Sequence, residues 1–313
     1  KKVGSDKPVY IHKGCEYTLS DKEDIYRDLW CRDLTVNSMA KSEQGELITI
    51  PGAVQDLENK ILRPVREENF FQDGLRVYRV CRMAACFPGF EVHESLWEIM
   101  RKVEKSGILR HISAERVGQE VRKACACPLP GRFLRLLGEA NIFSPWFEEL
   151  RGLNSLEPAA ALMDELAGDS LLVWMGLCRE LVIACPEGEA ASSAGQRSEE
   201  KEALARNLGV RLRLPKRFIQ GGAAALCYIY RLELYPELAT EEKVDLLLQL
   251  HKKGFLQQIL ELLRIGRGMD LRNRVHKDLQ SILQVRLPED CRNQGKQSGE
   301  ILKRMRSERL QKD

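Results

Sequence analysis

Between Asp73 and Met83 the chain sets an acidic residue and then three arginines at strict three-residue intervals: Asp73, Arg76, Arg79 and Arg82. Residues three apart are neighbours on a helix, so these side chains form a slowly winding ribbon of charge. Leu75, Val77, Tyr78, Val80, Cys81 and Met83 fill the positions between them. The segment must therefore bury one side while holding its cations on the other. Solvated faces usually mix signs and use lysine freely, whereas this ribbon uses arginine alone after a single aspartate. Arginine grips phosphate and base edges bidentately. On residue chemistry two readings stay open, an anion-binding wall and a solvated basic face.

The remainder of the composition sets few demands. At 313 residues the chain has room for two or three domains, each with its own core. Hydrophobic residues at 43% and charged residues at 30% are ordinary for a globular protein. A net charge of +3 does not demand a nucleic-acid partner, so any RNA site must come from local clustering. Of ten cysteines, Cys125 and Cys127 alone lie close together in sequence, and a C-x-C without a second pair is a poor zinc signature. The cysteines sit in apolar helical patterns and read as reduced, which points to a cytoplasmic protein. No run reaches the length of an uncharged membrane span.

Alternating segments at 8–12 and 16–19 read as a pair of strands, and 44–50 as a turn and strand. Beyond Asp56 the pattern is almost entirely helical. Helices are predicted at 94–105, from Ala114 with Ser113 as N-cap, at 132–140, 201–207, 217–232, 241–253 and 255–266. The small polar stretch 186–200 reads as a flexible loop. The end of the chain, with Lys303, Arg304, Arg306, Arg309 and Lys312, predicts a basic amphipathic helix with a solvated face.

Three ordered motifs carry a family resemblance. Arg32-Asp33-Leu34-Thr35-Val36-Asn37-Ser38-Met39-Ala40 resembles the RRD(F/L)TINALA motif of class II tRNA nucleotidyltransferases, the CCA-adding enzymes and related bacterial poly(A) polymerases. Gly52, Gln55-Asp56-Leu57 and Ile61-Leu62-Arg63-Pro64-Val65 resemble the family's G..DL....LR.V segment. Gln72-Asp73-Gly74-Leu75-Arg76-Val77-Tyr78-Arg79-Val80-Cys81-Arg82 resembles EDPLRVLRVAR. His111 to Lys123 is similar to the family's IS.ERV..EL piece, in which Glu115 and Arg116 read as structural, explained by a helix cap and local ion pairs.

The resemblance implies a mainly α fold with a small N-terminal β element. That element would be the remnant of an α+β nucleotidyltransferase head (1–60), followed by a helical nucleotide-selecting and neck region (61–150) and a helical body and tail (151–313). It implies template-independent transfer of AMP or CMP from ATP or CTP to the 3′ end of tRNA or another RNA, with Mg2+. Arg32, Asp33 and Asn37 would lie at the ribose and phosphate end of the nucleotide, Arg79 and Arg82 at the triphosphate, and Asp73 and Arg76 at the base edge. An aspartate accepts from the exocyclic amine of cytosine or adenine while an arginine donates to ring acceptors, which rejects uracil and guanine.

Other positions depart from the family. The metal-binding Asp-x-Asp pair and its preceding GG.(V/A)RD loop are missing, so the chain reads as N-terminally incomplete and no residue is assigned to metal. Cys31 replaces an arginine, Gln72 a glutamate, Gly74 a proline and Thr49 an aspartate, and the connection between Leu19 and Arg32 is short. Arg179-Glu180 stand where a metal-dependent phosphohydrolase domain would carry His-Asp, and arginine does not ligate cations. These departures support a second reading, an RNA-binding or scaffold protein that has lost catalysis.

Overall fold

In a computed structural model the chain is described for residues 2–3, 9–12, 15–18, 24–181, 194–293 and 295–312. Strands β1 (Lys2–Val3), β2 (Val9–His12) and β3 (Cys15–Thr18) form an antiparallel meander, with Tyr10 opposite Tyr17. Helix α1 (Asp24–Trp30) leads into a short 3-10 turn at Thr35–Asn37. The hairpin β4 (Met39–Lys41) and β5 (Leu47–Thr49) follows, and then α2 (Ala53–Glu58). These pieces share a small core of their own, Leu29, Ile50 and Ala53, flanked by Trp30, Met39, Ile48 and Val65.

Among the described residues the rest is helical apart from one brief parallel pair that the sequence reading did not include, β6 (Ile61–Leu62) with β7 (Glu91–Val92). Between these strands lie α3 (Glu67–Gln72) and the arginine-bearing α4 (Leu75–Cys86). After them come α5 (Glu94–Ser106), α6 (Ala114–Ala124) and α7 (Gly131–Glu139). The remainder is α8 (Glu157–Glu165), α9 (Ser170–Arg179), α10 (Ala194–Arg211), α11 (Lys216–Glu233), α12 (Thr240–Lys253), α13 (Leu256–Arg267), α14 (Arg272–Gln284) and α15 (Lys296–Lys312). One continuous apolar cluster runs through them from Leu34 to Ile282. The fold is thus mainly α with a small N-terminal β element.

Helix α4 is central because its apolar positions point inward in two directions. Leu75, Val77, Tyr78, Val80, Cys81, Met83, Ala84 and Ala85 are buried, packing against α6 and α7. Its start tolerates Gly74 for a packing reason. A Cβ there would sit 3.2 Å from Ile108 Cγ2 and 3.3 Å from Leu109 Cδ2, so the absent side chain lets the helix approach the turn after α5. Its end is held by Arg132 on α7, whose Nη1 donates to the carbonyls of Ala84 (3.3 Å) and Phe87 (3.4 Å).

Several expectations change. Ser113 occupies the N-cap position of α6 with extended backbone, but its side chain makes no capping hydrogen bond. The stretch read as a loop becomes helical from Ala194, where α10 begins, while 182–193 lie outside the described residues. Helix α10 packs along α11. Cys86 and Cys127 are joined in a disulfide, Cα atoms 4.6 Å apart, so the cysteines are not all reduced. Cys31, Cys81, Cys125, Cys178 and Cys291 are free thiols.

Arg179, at the end of α9, is 6% exposed, and its Nε lies 3.4 Å from Glu180. It sits against Gly266 of α13, where a Cβ would come within 2.0 Å of its Nη1. Trp174, fully buried one turn earlier, donates its indole N–H to the Phe218 carbonyl at 3.0 Å. The two residues tie α9 to α13 and to α11 respectively. Among the described residues no helix is long and apolar enough to cross a membrane.

Candidate functional site

The turn between α1 and β4 is built by its own polar side chains. Asp33, 3% exposed, accepts hydrogen bonds from the Leu34 N–H (2.9 Å) and from Asn37 Nδ2 (3.1 Å). Asn69 on α3 donates to the carbonyls of Trp30 (2.9 Å) and Arg32 (2.7 Å), which anchors the strand of backbone leading in. From below, Thr35 Oγ1 donates to Asp56 (2.8 Å), and Asp56 is gripped by Arg63 Nε at 3.0 Å. Arg63 in turn reaches His93 Nε2 at 2.5 Å, so β6, β7 and α2 all support the turn.

Against this turn lies α4. The two enclose a cavity of about 520 Å³ lined by Asp28, Cys31, Arg32, Asp33, Asn37, Asp73, Arg76, Arg79, Arg82 and Met83. All seven residues singled out from sequence, Arg32, Asp33, Asn37, Asp73, Arg76, Arg79 and Arg82, therefore meet in one place. The lining is dominated by arginine, and each carboxylate on it is ion-paired to a different one. Arg32 Nη2 lies 2.9 Å from Asp28, and Arg32 Nη1 donates to the Asn37 carbonyl at 2.7 Å. Arg79 Nε donates to Asp33 Oδ2 at 2.6 Å. Arg116, on α6, holds Asp73 with two hydrogen bonds of 3.2 and 2.6 Å. Arg82 Nε donates to Glu120 on the same helix at 2.5 Å.

Arg76 differs. Its Nη1 is buried and has no hydrogen-bond partner. Burial pushes its guanidinium down from the ordinary value, with Asp33 and Asp73 opposing. Arg79 shows the opposite balance: burial disfavours its charge, but Asp33 raises it. Burial likewise opposes ionisation of Asp33, yet the Arg79 charge and hydrogen bond, with Asn37 and the Leu34 N–H, hold its carboxyl below the usual value. The site is thus a fixed set of ionised groups, with one desolvated arginine donor left unsatisfied.

Three contributors were missed from sequence. Asp28 precedes Arg32 by one helical turn, a spacing that signals such a pair. Glu115 and Arg116, read from sequence as explained by a helix cap and local ion pairs, instead pair across the fold, Glu115 with Arg213 at 2.7 Å and Arg116 with Asp73, while Glu120 pairs with Arg82 as well as with Lys123 on its own helix. Glu120 did leave a signal, because it falls among Val117, Val121 and Ala124 on the buried side of α6. An acid on an apolar face calls for a cation.

Of the departures from the family pattern, Cys31 lines the cavity, whereas Gln72, Gly74 and Thr49 do not. Cys31 is exposed and lines the cavity where a further cation would stand. Gln72 is exposed, and Thr49 donates to the Ile50 carbonyl at 3.0 Å outside the pocket. Residues present here do not fit a catalytic metal site. Asp28, Asp33 and Asp73 are each held by an arginine, and among the described residues no three His, Cys, Asp or Glu side chains gather to hold an ion.

Comparison with known proteins matches residues 89–153 to the family described as the probable RNA and SrmB-binding site of polymerase A. A CCA-adding enzyme from Alteromonas mediterranea is 35% identical over 183 residues, 51% of this chain and 45% of that protein. A multifunctional CCA protein from Vibrio vulnificus is 36% identical over 173 residues, 48% of this chain and 42% of that protein. The chain is thus similar to CCA-adding enzymes over about half its length. The fold agrees: a Thermotoga maritima CCA-adding enzyme, solved complexed with tRNA, superposes with a TM-score of 0.67 at 17% identity, covering 100% of this chain and 77% of that one. A Bacillus stearothermophilus CCA-adding enzyme in complex with CTP gives 0.60 at 22%, covering 88% of this chain and 65% of that one. The chain matches less than half the length of the curated relatives named here.

Proposed function

We propose that the α4 cavity binds the nucleoside triphosphate of a template-independent nucleotidyl transfer, with CTP and ATP as donors and the 3′ end of tRNA as acceptor. The observation that carries this reading is the convergence of Arg32, Arg76, Arg79 and Arg82 on one cavity, with Arg76 Nη1 buried and unpartnered. A buried guanidinium donor without an acceptor is costly, and a ligand oxygen or ring nitrogen satisfies it. Arg79 and Arg82 have their Nε atoms committed to Asp33 and Glu120, which leaves their Nη groups for phosphate. Asp73, steadied by Arg116, offers its carboxylate to an exocyclic amine beside Arg76, the arrangement that accepts cytosine and adenine.

Three further assignments belong to this reading. The segments 1–60, 61–150 and 151–313 serve as part of a head, a nucleotide-selecting neck, and a body with tail; the separate small core around Leu29 supports the first boundary. Mg2+ would neutralise phosphate charge in such a transfer, and the described residues of this chain do not form a site that would hold it. The protein works in the cytoplasm.

The test is calorimetric titration of the chain with CTP, ATP, UTP and GTP. CTP and ATP binding that falls at least tenfold in Arg76→Ala, with weaker UTP and GTP binding, is the expected result. Equal binding of all four would overturn the base-reading assignment. A second reading, RNA binding without transfer, is favoured by Cys31 and by the Arg116 grip on Asp73. It predicts tRNA binding that survives Arg76→Ala and no measurable CTP binding.

A further inference from the structure

A second cavity lies in the helical body and shares no residue with the first. It has a volume of about 650 Å³ and is lined by residues of α10, α11 and α12 and by Phe255, within the ~300–1,000 Å³ of small-molecule sites. Its apolar floor is aromatic: Tyr228 and Phe255 are each 4% exposed. Gln220 and Gln249 add two amides, groups that both donate and accept. The Tyr228 hydroxyl meets Gln249 Oε1 at 3.4 Å, so the Gln249 amide nitrogen is directed elsewhere.

The charges are uneven. Glu202 is the acid of the lining, and it is shared by Arg206 and, at 4.0 Å, by Lys253. Lys253 also holds its ammonium 4.9 Å from the centre of the Tyr228 ring. Lys252 forms no ion pair among the described residues, and Arg217 lies 5.9 Å from the Phe255 ring behind the rim. Three lining cations against one carboxylate leave an excess positive charge that matches a phosphate monoester of about −1.5 to −2.

We propose that this cavity binds a nucleotide, with its phosphate on Lys252, Lys253 and Arg206 and its base against Phe255 between the two amides. Aromatic floor, amide edges and clustered cations together recognise a base joined to a phosphate, either free or as one unit of single-stranded RNA. The proposal stands apart from the function assigned to the α4 pocket.

The experiment uses the whole chain carrying Arg76→Ala and Arg79→Ala, which disables the α4 pocket. It is titrated with AMP, with CMP, with inorganic phosphate and with a labelled oligoadenylate. Retained binding of AMP or CMP, weakened at least tenfold by adding Lys252→Glu and Gln249→Ala, supports a site for free nucleotides. Oligoadenylate binding alone, weakened in the same way, identifies the nucleotide as a unit of RNA. Both added substitutions are at exposed positions, and an unchanged melting curve certifies the fold. Absence of all binding, binding indifferent to Lys252→Glu and Gln249→Ala, or equal affinity for inorganic phosphate would each overturn the proposal.

Discussion

Glu120 is the most exacting place to test how the arginine pocket is held. Its side chain is 4% exposed and pairs with Arg82, itself 16% exposed, at 2.5 Å. Replacing Glu120 with leucine leaves the Arg82 guanidinium buried without its counter-charge. Breaking a buried pair by removing one partner costs about 3–5 kcal/mol, and the lower figure applies here because Arg82 borders an open cavity. At roughly 2 °C per kcal/mol for a chain of this size, Glu120→Leu lowers the melting temperature by about 6 °C in calorimetry. Glu120→Gln keeps an acceptor for Arg82 Nε and loses about 1 kcal/mol. The double variant Glu120→Leu with Arg82→Met removes both charges and recovers most of the loss, since apolar replacement of a buried pair is nearly neutral. If Glu120→Leu and the double variant melt together, or Glu120→Leu melts within about 1 °C of the parent, the pair does not steady α4 as described.

The other perturbations probe separate links. Asp33→Asn tests the depressed carboxyl: the stability Asp33 contributes is fully present above its unfolded value near 3.8 and is lost as pH falls through its lower folded value. The difference in unfolding free energy between parent and Asp33→Asn should therefore be flat from about pH 5 to 8 and shrink below about pH 4 in urea titrations. Arg76→Met relieves an unsatisfied buried donor, so stability should hold or rise by up to about 1 kcal/mol while CTP affinity drops at least tenfold. Gly118→Ala would place a Cβ 1.9 Å from the Leu212 carbonyl oxygen, a backbone clash between α6 and the end of α10. Its expected cost is about 3 kcal/mol, read by urea unfolding.

Much of the pocket was legible because its signals are local. The three-residue arginine spacing names the helix and its charged side, and the motif around Arg32 names the turn that faces it. Pairings across the fold were not legible. Asp73 and Arg116 are 43 positions apart and Arg82 and Glu120 are 38 apart, and no periodicity in either segment says which acid meets which base. The pairing of Cys86 with Cys127, 41 apart, was not legible for the same reason: it is the packing of α4 against α6 that brings them together. Residues 194–200 were misread because a stretch containing Gly195 and Ser198 carries little helical propensity of its own, yet it is the first part of the long helix α10.

The winding of the ribbon explains how its three arginines coexist in one small cavity. A step of three residues on an α-helix falls short of a full turn by about 60°. Arg76, Arg79 and Arg82 therefore lean in successive directions, and the two that are paired meet different carboxylates. Arg79 meets the buried Asp33 of the turn, Arg82 meets Glu120 of α6, and Arg76 meets neither. In the two paired residues the carboxylate engages Nε, so the terminal nitrogens keep donors for a ligand while the plane of the guanidinium is fixed beforehand. Pairing Arg79 and Arg82 with Asp33 and Glu120 lowers the mutual repulsion of the arginines. It leaves the desolvated Arg76 as the group whose satisfaction depends on what binds, so loss of Arg76 should cost ligand affinity without costing the fold.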